Sequence, residues 1–280
     1  MAAFLFDPDV LLPIAEANRD AFLNAEPFPH VVLDNLLPDE VLYQVLSEFP
    51  KPTDADWLRY DHSKAHKLGL HEEWLFGTNT RQLLNQFNGA SFVRFLETLT
   101  GIDGLIPDPH FEGGGLHQIE PGGFLKVHTD FNFHSVWKLD RRINVLLYLN
   151  PEWDDAWGGQ LELWDPAMSK HKTISPVFNR MLIFATSDGS KHGHPDPLAC
   201  PEGVTRRSLA LYYFSNGRPL SEQSDPHHTS HYERPGEKFE GEQPTGNRFK
   251  DLARDFLPPV AMRSAAKVQA RIKTRRSASR

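Results

Sequence analysis

The sequence predicts a mainly β, α+β fold: an antiparallel sandwich or barrel buttressed on one sheet by helices from the first third of the chain. Three observations carry that expectation. Before about residue 110 apolar residues recur at helical spacing; from about Gly113 they gather into short β-rich runs; and the connections between those runs hold Pro, Gly and Asp without any helical pattern, which argues against alternating βαβ units. With 280 residues, 39% of them hydrophobic, the chain has enough apolar material for a substantial core.

The elements follow in order. Pro27 to Leu33 suits a short strand leading into a helix opened by Pro38-Asp39-Glu40, in which Val41, Leu42, Val45, Leu46 and Phe49 recur on one face before Pro50 closes it. Arg81 to Leu99 offers two further helices broken at Asn88-Gly89, and the His-rich, charged stretches between these elements read as loops. Strands are expected at Phe124–Thr129, Ile143–Leu149, Gln160–Trp164, Lys172–Ile174, Met181–Ala185 and Ser208–Phe214. The resulting organisation is an N-terminal helical support region over 1–110, a β core over 111–216, a polar surface loop extension over 217–247 and a basic helical tail over 248–280.

Charge and composition exclude several function classes. Residues 248–280 hold ten Lys and Arg against two Asp, a local +8, so the rest of a chain whose net charge is −7 carries −15. An acidic body does not suit broad nucleic-acid binding, which needs a basic face to neutralise phosphates. The tail combines Leu252, Phe256, Val260 and Met262 with Arg263 to Arg276, a pattern open to peripheral contact with an anionic membrane surface or to docking on its own domain. No apolar run approaches the roughly 20 residues that cross a bilayer. The first residues carry Asp7 and Asp9 and no basic n-region, so a secretory signal is not expected and the cytoplasm is. Cys200 is the only cysteine, so any metal must be held by His and carboxylates.

The search for chemistry begins with failures. There is no dinucleotide fingerprint and no phosphate-cradling loop; Gly113-Gly114-Gly115 alone reads as a turn. His71-Glu72 opens like a helical zinc motif, but Leu75 stands where the second His is required, and His227, His228 and His231 fall in a Pro/Gly-bounded loop. His128-Thr129-Asp130 is more informative, because strand residues two apart point to one side and present an imidazole and a carboxylate to one point. His192, after the strand 181–185, is a candidate third ligand, with His194 as its competitor. Two His and one carboxylate leave coordination positions open, which suits non-haem Fe(II) and O₂ chemistry. Arg206, at the start of another strand, has the planar fork that pairs with a carboxylate.

These residues, in this order and in this β context, resemble the Fe(II)/2-oxoglutarate-dependent oxygenases, in particular their prolyl-4-hydroxylase-like branch. The resemblance runs from about Phe28 to Phe214 and rests on Phe28-Pro29-His30-Val31-Val32-Leu33-Asp34, His128-Thr129-Asp130-Phe131-Asn132, Leu146-Leu147-Tyr148-Leu149-Asn150, Trp157 to Trp164, Lys191-His192-Gly193-His194-Pro195, and Arg206 to Tyr213. It implies a double-stranded β-helix core of the jelly-roll, cupin-like kind. It implies Fe(II), 2-oxoglutarate and O₂ as cofactor and co-substrates, ascorbate as a reductant, and hydroxylation of an unactivated C–H with release of succinate and CO₂. The substrates it implies are small polar molecules, amino acids or peptides, prolyl residues included.

Carried over residue by residue, the resemblance makes His128, Asp130 and His192 the iron ligands and Arg206 the partner of the distal 2-oxoglutarate carboxylate, with Arg207 the next choice. Tyr148 matches the position whose phenol bonds the same carboxylate; Ser208, Asn144 and Leu146 share the inward parity, and Leu161 and Leu163 wall the barrel. Asp130 argues against halogenation, which needs the carboxylate corner vacated. Where many relatives carry Tyr before a Pro-Gly turn this chain has Ile119-Glu120-Pro121-Gly122, so His117 or Gln118 is expected to substitute. Lys126 shares parity with His128 and is expected near the substrate mouth or on the surface, Trp157 and Trp164 in the core, and 55–80 with 215–247 around the mouth. A non-catalytic jelly-roll binding module and a Zn-dependent hydrolase on the same barrel are the competing functions.

Overall fold

A computed structural model of the chain describes residues 4–239. Helix α1 (Pro8–Leu23) starts with Pro in its first turn, where no amide bond is lost, and the Asp7 carboxylate accepts the Asp9 amide at 2.9 Å. Strand β1 (His30–Asp34) and helix α2 (Asp39–Ser47) follow, then strands β2 (Leu58–His62) and β3 (Ala65–Leu70). Helices α3 (Thr78–Phe87) and α4 (Ala90–Thr100) are separated at Asn88-Gly89, and α4 ends on Gly101 at φ +71°, a left-handed cap that glycine adopts without strain. The remaining strands are β4 (Ile106–Pro107), β5 (Gly115–Ile119), β6 (Phe124–Thr129), β7 (Phe133–His134), β8 (Leu139–Tyr148), β9 (Leu161–Trp164), β10 (His171–Ile174), β11 (Arg180–Ala185), β12 (Lys191–His194), β13 (Arg206–Ser215) and β14 (Ser230–His231).

The strands pair antiparallel in the order β1-β11-β8-β13-β5-β3-β6-β12-β9-β10, a sheet curled into a jelly-roll half-barrel. Alternation along β8, β11 and β13 separates two cores. Val145, Leu147, Met181, Ile183, Leu209 and Leu211 pack outward against Leu83, Phe87, Phe92 and Phe95 of α3 and α4. Tyr148, Leu182 and Phe184 face inward and meet Leu161 and Leu163 of β9, so the expected inner wall is formed across the barrel. Trp164 is buried and Trp157 half-buried. Among the described residues no helix is long and apolar enough to cross a membrane.

Three departures from the sequence reading have physical causes. The charged stretch expected as loop holds the β2–β3 hairpin, which joins the sheet through Leu68 and Leu70 while the alternate residues are Ala, Lys and Gly, so its apolar period is diluted. Lys191–His194, unassigned in the sequence reading, is a strand squeezed between β6 and β9; a Cβ on Gly193 would lie 2.8 Å from the Leu125 carbonyl oxygen, and only glycine allows that approach. The extension from 217 does not run free of the barrel as far as it is described: β14 pairs with β6, and Arg234 reaches Glu162 at 3.0 Å and Asp196 at 2.9 Å. The rest of that extension and the basic tail lie outside the described residues.

Candidate active site

Strand pairing brings the three expected ligands together. His192 lies directly opposite His128 in the β12–β6 register, with ring centroids 4.4 Å apart, and Asp130 follows at the end of β6. One ligand atom from each of His128, Asp130 and His192 falls within 4.8 Å of the others. His128 Nε2 is 3.7 Å from Asp130 Oδ1 and His192 Nε2 is 3.6 Å from Oδ2.

The orientation of both imidazoles is set locally. His128 Nδ1–H donates to the Lys126 carbonyl at 3.0 Å and His192 Nδ1–H to the Ser190 carbonyl at 2.9 Å, each two residues back. This selects the tautomer whose Nε2 lone pair points at the common centre, the arrangement a metal-binding imidazole requires. Burial holds both rings below the ordinary histidine range and therefore neutral, and His192 adds to the effect on His128. Phe184 meets the His192 ring edge-on at 4.8 Å.

Asp130 is held from behind. Its Oδ2 accepts from Asn144 Nδ2 at 2.8 Å and lies 3.1 Å from Arg141, whose guanidinium also donates to Asn144 Oδ1 at 3.0 and 2.8 Å. Burial opposes ionisation of the carboxyl, but Arg141, the two imidazoles and the Asn144 bond outweigh it and hold Asp130 well below the usual carboxylate range. The Arg141 carbon centre sits 3.5 Å above the Tyr212 ring and 4.6 Å from that of Phe131. Arg141 is buried and lies outside the sequence-predicted set; its signal is the Arg141-Arg142 pair just before the apolar run that starts at Ile143. Asn144, expected to face the co-substrate, bridges Arg141 and Asp130 through its amide.

A second group lies on β8 and β13. Arg206 is 4% exposed, donates from Nε to the Gly159 carbonyl at 2.8 Å, and has its NH2 3.5 Å from the Tyr148 hydroxyl. No carboxylate pairs with Arg206 among the described residues, so this buried guanidinium keeps unused donors. Gly159, at φ +75°, is required here: a Cβ would approach Leu198 Cδ2 to 2.6 Å and Arg206 Cδ to 3.0 Å. Burial pushes the Tyr148 phenol up, so it stays protonated and able to donate. Ser208 is buried between Tyr148 and His117 in register, and Leu146 is half-buried between the inner core and the cluster of Ala210, Tyr212 and Phe214. Arg207 instead donates to Thr205 Oγ1 at 2.9 Å.

The other candidates lie around this centre with partners of their own. His194 is buried with Nδ1 lacking a hydrogen-bond partner, but it pairs with Leu125 rather than with a ligand strand position. Three residues of β6 thus span two of β12, and this bulge breaks the alternation that placed Lys126 beside His128. The Lys126 amine turns to the Pro195 carbonyl at 3.1 Å and to Glu237. Glu120 pairs with Arg59 at 3.6 Å, Gln118 donates to Thr205 Oγ1 at 2.8 Å, and His117 bonds the Gly113 carbonyl at 3.0 Å. His231, expected in a Pro/Gly-bounded loop, stands in β14 opposite His128 with ring centroids 5.7 Å apart.

The donor set fits a divalent metal of the iron kind: two neutral, oriented imidazoles and one carboxylate kept ionised. The unpaired Arg206 beside the Tyr148 hydroxyl fits a carboxylate-bearing co-substrate.

Residues 114–214 match the 2OG-Fe(II) oxygenase superfamily. No curated protein matches the sequence. Among solved structures, the chain is similar to a prolyl hydroxylase from Trichoplax adhaerens in complex with a hypoxia inducible factor peptide fragment, at TM-score 0.53 and 17% identity over 76% of this chain and 96% of that one. A prolyl-4-hydroxylase from Pseudomonas putida aligns at TM-score 0.50 and 17% identity over 72% of this chain and 100% of that one. The α-ketoglutarate-dependent epimerase SnoN from nogalamycin biosynthesis aligns at TM-score 0.52 and 13% identity over 79% and 94%. At these identities the likeness to solved structures establishes the jelly-roll fold, and neighbours with different activities share it.

Proposed function

From the premise that this chain is an enzyme of the 2OG-Fe(II) oxygenase superfamily, using Fe(II), 2-oxoglutarate and O₂, we propose that it hydroxylates an unactivated C–H of a small polar, amino-acid or peptidyl substrate, prolyl residues among the candidates. In this reading His128, Asp130 and His192 hold the metal, and His192 rather than His194 is the third ligand. The observation that carries it is the convergence of two imidazole Nε2 atoms, each with its Nδ1–H tied to a backbone carbonyl, on one buried ionised carboxylate.

When bound, iron and 2-oxoglutarate supply the oxidising power: the 2-oxo acid loses CO₂ to become succinate, with one oxygen atom of O₂ entering succinate and the other the substrate C–H. The chain's own residues orient and insulate that reaction. Arg141 and Asn144 hold Asp130 Oδ2, which would stop the carboxylate from turning and keep it ionised toward a metal held by His128, Asp130 and His192. Arg206 and the Tyr148 hydroxyl receive the distal carboxylate of the co-substrate, and Ser208 and Leu146 line its path. Leu161, Leu163 and Phe184, all buried, keep water from the inner wall.

The test is stoichiometric. Succinate is expected only when Fe(II), 2-oxoglutarate and O₂ are present together, and anaerobic Fe(II) with 2-oxoglutarate is expected to give a weak visible charge-transfer band. An apo-like spectrum at saturating ligand would refute the reading, and metal-dependent hydrolysis without succinate would favour a Zn enzyme on the same barrel.

A further inference from the structure

The pocket interior carries a second cation besides Arg206. Lys67 stands on β3, where Leu68 and Leu70 pack into the helix-side core, so Lys67 and Gly69 face the opposite side, into the barrel. Gly69 marks the direction: a methyl group there would meet Tyr60 Cε2 at 3.5 Å and His117 Cδ2 at 3.9 Å. His117 is in register with Ser208, itself opposite Tyr148, so these residues form one row across the inner face. Lys67 Nζ lies 5.0 Å from the Tyr60 ring centroid.

This half-buried amine forms no ion pair with any carboxylate of the described residues. Asp130, the acidic group that acts on it, is already engaged by Arg141 and Asn144. Burial pushes the Lys67 amine down to about 8, with Asp130 opposing and the Arg141 and Arg206 guanidiniums adding to the shift. An unpaired, poorly solvated cation is costly unless a ligand completes it.

Charge accounting then points past the co-substrate. 2-Oxoglutarate has two carboxylates; in the function proposed above one belongs at the metal and the other at Arg206. Neither is left for Lys67. We propose that Lys67 receives an anionic group, a carboxylate or a phosphate, of the molecule that is oxidised, so that the substrate class is anionic rather than neutral. Glu120, before the Pro121 turn, pairs with Arg59, and the hairpin delivers Lys67 from a different strand. The inference rests on the proposed function, and its test separates the two.

The experiment uses the full chain loaded with Mn(II) and 2-oxoglutarate, and reads binding of matched pairs by ligand-observed NMR. The probes are amino acids and short peptides as free acids against their C-terminal amides, and phosphate monoesters against the parent alcohols. At least one anionic member is expected to bind about tenfold or more tighter than its neutral partner, with the preference falling below about twofold in Lys67→Met and surviving in Lys67→Arg. Which set shows the preference distinguishes carboxylate from phosphate. The affinity for 2-oxoglutarate is expected to stay that of the wild type in both variants. Equal binding of acid and neutral partners, or no binding by any anion, would overturn the proposal. So would a loss of 2-oxoglutarate affinity in Lys67→Met as large as in Arg206→Ala, since the cation would then belong to the co-substrate. A wild-type protein that fails to bind 2-oxoglutarate would overturn the proposed function as well.

Discussion

Strands β8 and β13 have two faces buried to nearly the same degree and stabilised by different physics. On the outer face Val145, Leu147, Leu209 and Leu211 lie against the helices, held by apolar area, which has no preferred direction. On the inner face Asn144, Tyr148, Arg206 and Ser208 are almost as completely buried but polar, and Asn144, Tyr148 and Arg206 each have a particular partner. The difference teaches where a substitution will be felt. A change of volume outside is expected to cost stability and spare the chemistry; in the proposed function, a change of one polar group inside is expected to spare the fold and weaken binding of metal or co-substrate.

The sharpest break of this contrast is His192→Ala. Succinate formation is expected to fall to background, beyond the ~10–100-fold typical of residues that only support a ligand, while far-UV circular dichroism and the denaturation midpoint stay near wild type. His194→Ala, in the same assay, is expected to retain metal binding. Retained turnover in the first variant and its loss in the second would exchange the two histidines. On the outer face Leu147→Ala is expected to cost about 2–5 kcal/mol in urea unfolding with turnover per folded molecule unchanged; a large drop in turnover would show that the faces are not independent.

Smaller effects sharpen the same division. Arg206→Ala removes a charge-assisted contact worth about 1.5–3 kcal/mol, so the 2-oxoglutarate concentration for half-maximal succinate formation is expected to rise roughly 10–150-fold at little cost in stability. An unchanged requirement would move the anchor to Arg207. The least effect is expected at the barrel edge, where Arg180 binds Asp34 at 2.7 and 2.8 Å on a partly exposed surface. Asp34→Ala should cost less than about 1 kcal/mol. Arg180 holds the Asp34 carboxyl below its usual range. The small stabilisation is therefore present above the ordinary carboxylate pKa and lost as pH falls through the lowered one, which wild-type and variant unfolding curves at pH 7 and pH 3 would compare.

Much of the architecture is legible locally. The pair His128 and Asp130 reads as one unit because a strand repeats every two residues, and the break between α3 and α4 is visible in Asn88-Gly89. Legibility fails where neighbours along the chain have opposite duties. The β2–β3 hairpin hides because its inner face carries Lys67 and Gly69, so the apolar period that signals a strand is carried by Leu68 and Leu70 alone. Lys126 is a related case: parity along β6 leaves open the mouth or the surface, and its actual partners, the Pro195 carbonyl and Glu237, lie far along the chain.

By itself the sequence determined the helical first third, the antiparallel strands that follow, and a short inventory of groups able to hold a metal and a carboxylate. These depend on spacing within a few residues, and the backbone's own periods express them. Only the tertiary structure decided that His192 stands opposite His128, that Arg141 and Asn144 grip Asp130, that His231 returns to the same strand, and that Lys67 lies against the Tyr60 ring. Those contacts join residues far apart in the chain through strand register, and register is set by the packing of the whole sheet rather than by any local segment.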